Sequence, residues 1–340
     1  MKILVTGAAG FIGMHTCYSL LKEGHVVYGI DSLNSYYDKS FKYDRLANLG
    51  IDKNLLSYNT PITGLENFVF SEIDLLDSES LLRLFSGQQF EIVINLAAQA
   101  GVRFSITNPK AYIDSNIYGF FNILEACRFF KPEHLVYASS SSVYGNNTEV
   151  PFNTNQKTDS PVSFYAATKK SNELMAYTYS HLYQIPITGL RFFTVYGPWG
   201  RPDMAYFTFT RNILEGRPIQ VYEKGELWRD FTFIDDIVEG VKRVALCFFP
   251  EIETIKHRIF NIGNHNPVKV IQFVEILEEL IGKRAIIDFF PMQAGDVYKT
   301  YADVEALSHL INFKPDTDLR TGLSIFVNWY REYYNIDNTV

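Results

Sequence analysis

The chain has 340 residues, a hydrophobic content of 47% and a formal net charge of −7 at pH 7, a size suited to a principal domain with a smaller lobe and a charge that disfavours nonspecific attraction to nucleic acid. No tract of roughly 18 or more uncharged apolar residues is present to span a bilayer, so no membrane partner is expected. Cys17, Cys127 and Cys247 lie far apart with neither disulfide nor metal-ligand spacing, and they read as buried free thiols in a reducing, cytoplasmic compartment with no metal.

Ile3-Leu4-Val5 opens a strand over 2–6 that breaks at Thr6-Gly7, so this segment reads as part of the fold and not as a secretory leader. Gly7, Gly10 and Gly13 follow at a spacing of three, before a helix over 13–23. Such glycines permit a tight turn, close approach of backbone to a pyrophosphate and close packing of the helix, whose N-terminus then faces the anion. Alone, the run fits a plain βα turn as well. The next strand, 26–30, leads to Asp31, where a carboxylate can accept hydrogen bonds from an adenosine ribose. Its charge favours NAD over NADP, although aspartate also caps loops.

Apolar runs at 68–72, 92–96 and 134–138 read as further buried parallel strands, with helical periodicity at 78–85 and 116–130 between them. The repeated βα rhythm predicts an α/β fold with a Rossmann-type doubly wound parallel sheet. Ala138-Ser-Ser140-Ser141-Ser142-Val-Tyr144-Gly145 then leaves a strand where open sheets place their ligands, although four serines also suit a polar turn. Ser163 begins a helix over 163–183 that carries Tyr165 and Lys169 on one face, a rise of roughly 6 Å apart. An ammonium beneath the phenol would lower its pKa and make a tyrosine base near neutral pH. Without a nearby cofactor, the two are ordinary helix-surface residues.

Beyond a strand at 187–193 the rhythm becomes irregular. Tyr196-Gly-Pro-Trp199-Gly200-Arg201-Pro is loop chemistry, followed by a helix over 206–215, a strand over 219–222 and a turn at Lys224-Gly225. Asp235-Asp236 begins a helix that packs back on the first domain, whereas 268–282 and 303–311 read as helices of the smaller lobe. The lobes therefore interleave: 1–193 with about 232–258 for the cofactor, and 194–231 with about 259–340 as a mixed α/β substrate lobe.

Taken in order, these motifs resemble the extended short-chain dehydrogenase/reductase family, particularly its nucleotide-sugar epimerases, over essentially the whole chain. The resemblance implies that Phe11 and Ile12 join the glycine loop, that Asn34 adjoins Asp31, that Asp74-Leu75 approaches adenine, and that Leu96-Ala97-Ala98-Gln99 and Asn116 line the channel of a tightly held NAD. It makes Ser140 the hydroxyl bonded to the sugar O4, Tyr165 the base, and Lys169 its electrostatic and ribose-binding partner. It also implies a homodimer through helices 116–130 and 163–183 packed as a four-helix bundle.

Oxidation at sugar C4, with the phenolate taking the hydroxyl proton, opens several reactions: epimerisation, dehydration or decarboxylation. Related dehydratases place an acidic pair after the catalytic hydroxyl, and related decarboxylases place a glutamate just before Val-Tyr-Gly. Here Ser141 and Ser142 stand there, neutral hydroxyls able to donate to a uronate carboxylate. A 4-ketouronate loses carbon dioxide when the breaking C–C bond aligns with the carbonyl π system, so an epimerase must hold the carboxylate. Ser141, Ser142 and Thr194 are candidate donors, with Arg201 nearby as a planar fork, or as an ordinary loop arginine.

Ala97-Ala98-Gln99-Ala100-Gly101-Val102-Arg103, Tyr165-Ala-Ala-Thr-Lys169-Lys170-Ser-Asn-Glu173 and Leu190-Arg191-Phe192-Phe193-Thr194-Val-Tyr-Gly-Pro-Trp199 sharpen the resemblance to UDP-glucuronate 4-epimerases. Asn95 departs from it, standing where histidine is expected. For UDP, the resemblance nominates Gln220 and Tyr222 near uracil, Arg229 at the diphosphate and Asp296 at the ribose, with Arg103 as a further cation because Gln293 replaces an arginine. Packing and helix capping are open readings of Tyr222 and Asp296. The expected activity is interconversion of UDP-glucuronate and UDP-galacturonate. A 4-epimerase of neutral or N-acetylated UDP-hexoses and a non-enzymatic NAD-binding redox sensor remain alternatives.

Overall fold

The computed structural model describes residues 1–250, 256–293 and 295–336. The chain begins with β1 (Lys2–Thr6), α1 (Phe11–Lys22), β2 (Val26–Asp31), α2 (Ser40–Ala47), β3 (Ile62–Thr63), β4 (Phe68–Glu72), α3 (Ser78–Gln88) and β5 (Ile92–Asn95). Short helices α4 (Phe104–Thr107) and α5 (Pro109–Tyr112) lead through a π-helical stretch, Ile113–Tyr118, into α6 (Gly119–Phe130), β6 (His134–Ser140), α7 (Phe164–Tyr183) and β7 (Ile187–Phe192). Then come β8 (Thr194–Tyr196), α8 (Ala205–Leu214), β9 (Ile219–Tyr222), β10 (Trp228–Phe233), α9 (Ile234–Ala245), β11 (His257–Ile262), β12 (Pro267–Lys269), α10 (Val270–Ile281), β13 (Ile287–Phe290), α11 (Glu305–Ile311) and α12 (Leu319–Tyr333).

The principal sheet has eight strands in the order β11-β7-β6-β5-β1-β2-β4-β3, parallel except where β3 meets β4. Its central strands are apolar without alternation because both faces are covered: Ile3, Leu4 and Val5 on β1 and Ile92, Val93 and Ile94 on β5 are all buried. Phe11, Met14, Ile237 and Val241 of α1 and α9 pack in one apolar cluster, and Leu81, Phe120, Ile123 and Ala176 of α3, α6 and α7 in another. Strand order reverses between β1 and β5, which opens a crevice above their carboxyl ends, where such sheets bind ligands. Smaller sheets, β12-β10-β8 and β13-β9, build the remainder with α8, α10 and α12.

Three details depart from the periodicity. The helix expected over 116–130 starts earlier and contains the π-helical turn, because tertiary bonds hold that backbone: Asn116 exchanges hydrogen bonds with both backbone groups of Gln99, at 2.8 and 3.0 Å, and Asn172 donates to the Asn116 carbonyl at 2.6 Å. β11 continues the principal sheet through Ile262, past the expected limit near 258, since it pairs in register with β7 over its full length. Cys247 lies just beyond α9 and is half-buried, unlike the buried Cys17 and Cys127. Among the described residues, no helix is long and apolar enough to cross a membrane, and no group of three or more His, Cys, Asp or Glu could hold a metal ion.

Candidate active site

β1 delivers the chain into Gly7, whose φ of +72° only glycine adopts freely. A Cβ on Gly13 would lie 2.0 Å from the Gly7 carbonyl oxygen, so α1 can start this close to the turn only with glycine there. The N-cap Gly10 offers no side-chain bond and the first turn carries no acid, which leaves helix N–H groups for an anion. All the expected cofactor residues from Gly7 through Gln99 line one cavity of about 210 Å³. Asn116 does not line it; from behind, its side chain ties the Gln99 loop to Thr168 on α7 at 3.0 Å. Asn95 also points inward, accepting from the Thr6 hydroxyl at 2.6 Å and so fastening the ends of β1 and β5.

Asp31 is buried and accepts through Oδ1 from the Leu33 N–H at 2.8 Å and from Lys42 Nζ at 3.1 Å. Lys42 also reaches Asn34 Oδ1 at 3.2 Å. This buried lysine was not anticipated. Its signal lay in the α2 sequence Ser40-Phe-Lys42, a cation that follows Asp31 closely on a helix whose partners were unknown. It offsets part of the charge that sequence reasoning set against a 2′-phosphate.

Ser140 ends β6 and caps the following turn, accepting from the Ser142 N–H at 3.2 Å and the Ser142 hydroxyl at 2.9 Å. Ser163, two residues before Tyr165, caps α7 by accepting from the Ala166 N–H at 3.1 Å. Burial pushes the Tyr165 phenol above its ordinary value, opposed by the Ser140 hydroxyl bonded to it and by the Arg201 charge. Lys169 shares the Tyr165 face, as helix spacing suggested, but its closest bond is to the neighbouring strand. Its ammonium sits 6.0 Å from the ring centroid and donates to the Ala138 carbonyl at 2.8 Å, while burial pulls it down to about 8. Spacing fixed the shared face, but a flexible four-carbon stem let the charge reach sideways to β6.

Ser140, Ser141, Ser142, Tyr165, Lys169 and Thr194 line a second cavity of about 360 Å³. A third, of about 570 Å³, is lined by Arg103, Gln220, Tyr222, Arg229 and Asp296. Arg201 lines all three, so they adjoin as one channel. Two expected contacts are altered by partners within the chain. Arg229 and Asp296 form an ion pair with each other, and Arg201 forks onto Asp203, whose carboxylate also accepts from Tyr36 at 3.1 Å. Asp203 and Tyr36 were missed because they stand 167 residues apart in sequence. Arg103 lies over the Tyr222 ring, 5.4 Å from its centroid.

The sequence pattern of the NAD dependent epimerase/dehydratase family matches residues 3–263. The chain belongs to that family. Protein CapI of Staphylococcus aureus is 51% identical, with 98% of this chain and 99% of that protein covered. A probable UDP-glucuronate 4-epimerase of Rhizobium meliloti is 43% identical over 100% of this chain and 99% of its own length. Among solved structures, the UDP-glucuronic acid 4-epimerase of Bacillus cereus in complex with UDP-glucuronic acid and NAD superposes with a TM-score of 0.87, at 32% identity and covering 98% and 100% of the two chains.

Family membership makes NAD the cofactor, and the residues present fit it: a glycine turn no Cβ could enter, an uncapped helix start for pyrophosphate, and a carboxylate at the ribose end. In the adjoining cavity the Tyr165 phenol is in contact with the Ser140 hydroxyl, itself bonded to Ser142. A phenol and two linked hydroxyls so placed can accept and return a proton.

Proposed function

We propose that the protein epimerises UDP-glucuronate to UDP-galacturonate at C4 through a transient 4-keto sugar. The observation that carries this reading is the single cavity in which Tyr165 and Ser140 face Ser141, Thr194 and Arg201, a proton acceptor beside neutral and cationic donors suited to a carboxylate. NAD, when bound, supplies a reversible acceptor for the C4 hydride. Ser140 orients O4, Tyr165 takes its proton and later returns it with the sugar turned over, and Ser142, on the wall of the same cavity, donates to Ser140 and stands within reach of the carboxylate. Ser141, Thr194 and Arg201 hold the carboxylate so that the C5–C6 bond stays out of alignment with the ketone. UDP would occupy the cavity of Gln220, Tyr222, Arg229 and Asp296, with the diphosphate replacing Asp296 as partner of Arg229. The first lobe thus serves the cofactor and the second the nucleotide sugar.

The same reading includes a cytoplasmic homodimer. Phe121 and Phe129 on α6 and Leu174, Tyr177 and Leu182 on α7 are exposed apolar side chains on the two helices expected to form a bundle with their copies.

Incubating the purified protein, without added cofactor, with UDP-glucuronate, UDP-glucose and UDP-N-acetylglucosamine in turn tests both substrate and retained NAD. UDP-galacturonate should form from the first and little epimer from the others. Preferential turnover of a neutral sugar would support the hexose alternative, and NAD-loaded protein that converts none of them would support the sensor.

Replacing Ser142 by Glu should raise the KM for UDP-glucuronate by about tenfold and increase loss of carbon dioxide relative to epimer, through like-charge repulsion at the carboxylate. Ser142→Ala removes only the hydroxyl that steadies Ser140, so it should slow turnover with little change in products. An identical product ratio in wild type and Ser142→Glu would argue against carboxylate control at this position.

A further inference from the structure

Arg201 enters the channel from a loop whose backbone is held in an unfavourable shape. Trp199 has φ +61°, in the left-handed region that a bulky residue seldom adopts, and a Cβ on Gly200 would strike the Tyr206 hydroxyl at 1.7 Å. Such strain persists only where the surroundings over-determine it, and it concentrates at functional sites. Here the surroundings are specific. The Trp199 ring packs against Trp329 and Tyr333 of α12, with centroids 5.2 and 5.1 Å away. Three consecutive carbonyls are taken by side chains of the cofactor half. His15 bonds that of Pro198 at 3.0 Å, Arg45 bonds that of Trp199 through Nε at 2.9 Å and Nη2 at 2.7 Å, and Arg45 Nη2 also reaches that of Gly200 at 3.1 Å.

Arg45 is completely buried, and the hydrogen bonds described for it all go to neutral acceptors. Its remaining nitrogen, Nη1, bonds the Tyr37 hydroxyl and, at 3.3 Å, the Ala9 carbonyl within the glycine loop. Burying a guanidinium among neutral groups is unfavourable, and an apolar side chain could fill the space without that penalty. What only an arginine provides is a rigid fork with five donors, able to grip several carbonyls in fixed mutual positions. The fork registers the cofactor loop on one side against the Trp199-Gly200 backbone on the other, immediately before Arg201.

We propose that Arg45 is a positioning residue for substrate selection: by holding the 197–201 loop it sets where the Arg201 guanidinium lies, and through it the preference for a carboxylate-bearing sugar. The inference rests on the uronate reading above. A lysine at this position would keep the charge but lose the fork, and Arg201 would no longer be held at one place in the channel.

The test is a double-mutant cycle on the purified holoprotein, with Arg45→Lys, Arg201→Met and their combination, reading affinities for UDP-glucuronate, UDP-glucose and UDP by calorimetry. Arg201→Met should abolish the preference for UDP-glucuronate over UDP-glucose, and Arg45→Lys should reduce it by about tenfold while leaving UDP affinity in place. The double variant should be no worse than Arg201→Met alone, because both changes remove one interaction. An undiminished preference in Arg45→Lys, or losses that multiply in the double variant, would overturn the positioning role. A wild-type protein with no preference for the uronate would instead overturn the functional reading on which it rests. If Arg45→Lys does not fold, His15→Leu, which frees only the Pro198 carbonyl, should show the same loss of preference in smaller measure; unchanged selectivity there would equally overturn the proposal.

Discussion

Tyr165→Phe is expected to reduce turnover of UDP-glucuronate at least about a hundredfold, the range for losing a general base, with UDP-sugar binding and bound NAD largely retained. The substitution removes one oxygen at the start of α7 and leaves the ring where it packs edge-on to Tyr112, with centroids 6.0 Å apart. The Ser163 cap and the Lys169 bond to Ala138 do not depend on that oxygen, so the helix should keep its place. What disappears is the acceptor at the end of the chain from Ser142 through Ser140. The loss should fall on kcat with KM little changed, because the proton moves only as the C4 bond breaks. Turnover within a few-fold of wild type would remove Tyr165 from the role of base.

The second large effect is on stability. Glu173→Ala should destabilise the fold by about 3–5 kcal/mol, because it leaves a buried arginine without its counter-charge. Glu173 accepts from Arg191 Nε at 2.8 Å and Nη2 at 2.9 Å, with both side chains almost fully buried. Arg191 Nη1 continues to the Tyr144 hydroxyl at 3.0 Å, and Tyr144 donates to Asn261 at 2.6 Å. Glu173 also accepts from the Ser139 hydroxyl at 2.7 Å, beside Ser140. One carboxylate therefore joins α7 to β6, β7 and, through Tyr144, β11. Guanidinium chloride unfolding of the holoprotein would measure the loss. Replacing Glu173 and Arg191 together by Leu and Met should recover much of it, since neither charge is then stranded. A midpoint for Glu173→Ala indistinguishable from wild type would mean that the pair contributes little.

Glu173 illustrates how far the linear chain could be read. Its position after Lys169 was visible and its place on α7 followed from periodicity, yet nothing near it in sequence indicated Arg191 on a strand 18 residues away or Ser139 a further strand back. Asp31 and Lys42 repeat the pattern across 11 residues, and Tyr36 and Asp203 across 167. Charged side chains are long and flexible, so their partners depend on which segments the fold brings together.

Local backbone requirements and short-period burial, by contrast, are written in consecutive residues. The glycine turn, the uninterrupted apolar strands, the Ser163 cap and the shared face of Tyr165 and Lys169 each depend on residues a few positions apart, and these the sequence determined by itself. The tertiary structure alone decided where Lys169 points, that Ser142 serves Ser140, that Arg201 enters beside Asp203, and that Arg45 grips the loop before it. Lys169 on Ala138 and Arg45 on the Trp199 carbonyl depend on segments remote in the chain, whereas Ser142 on Ser140 and Arg201 on Asp203 depend on the backbone shape of a two-residue turn, which the surrounding packing sets.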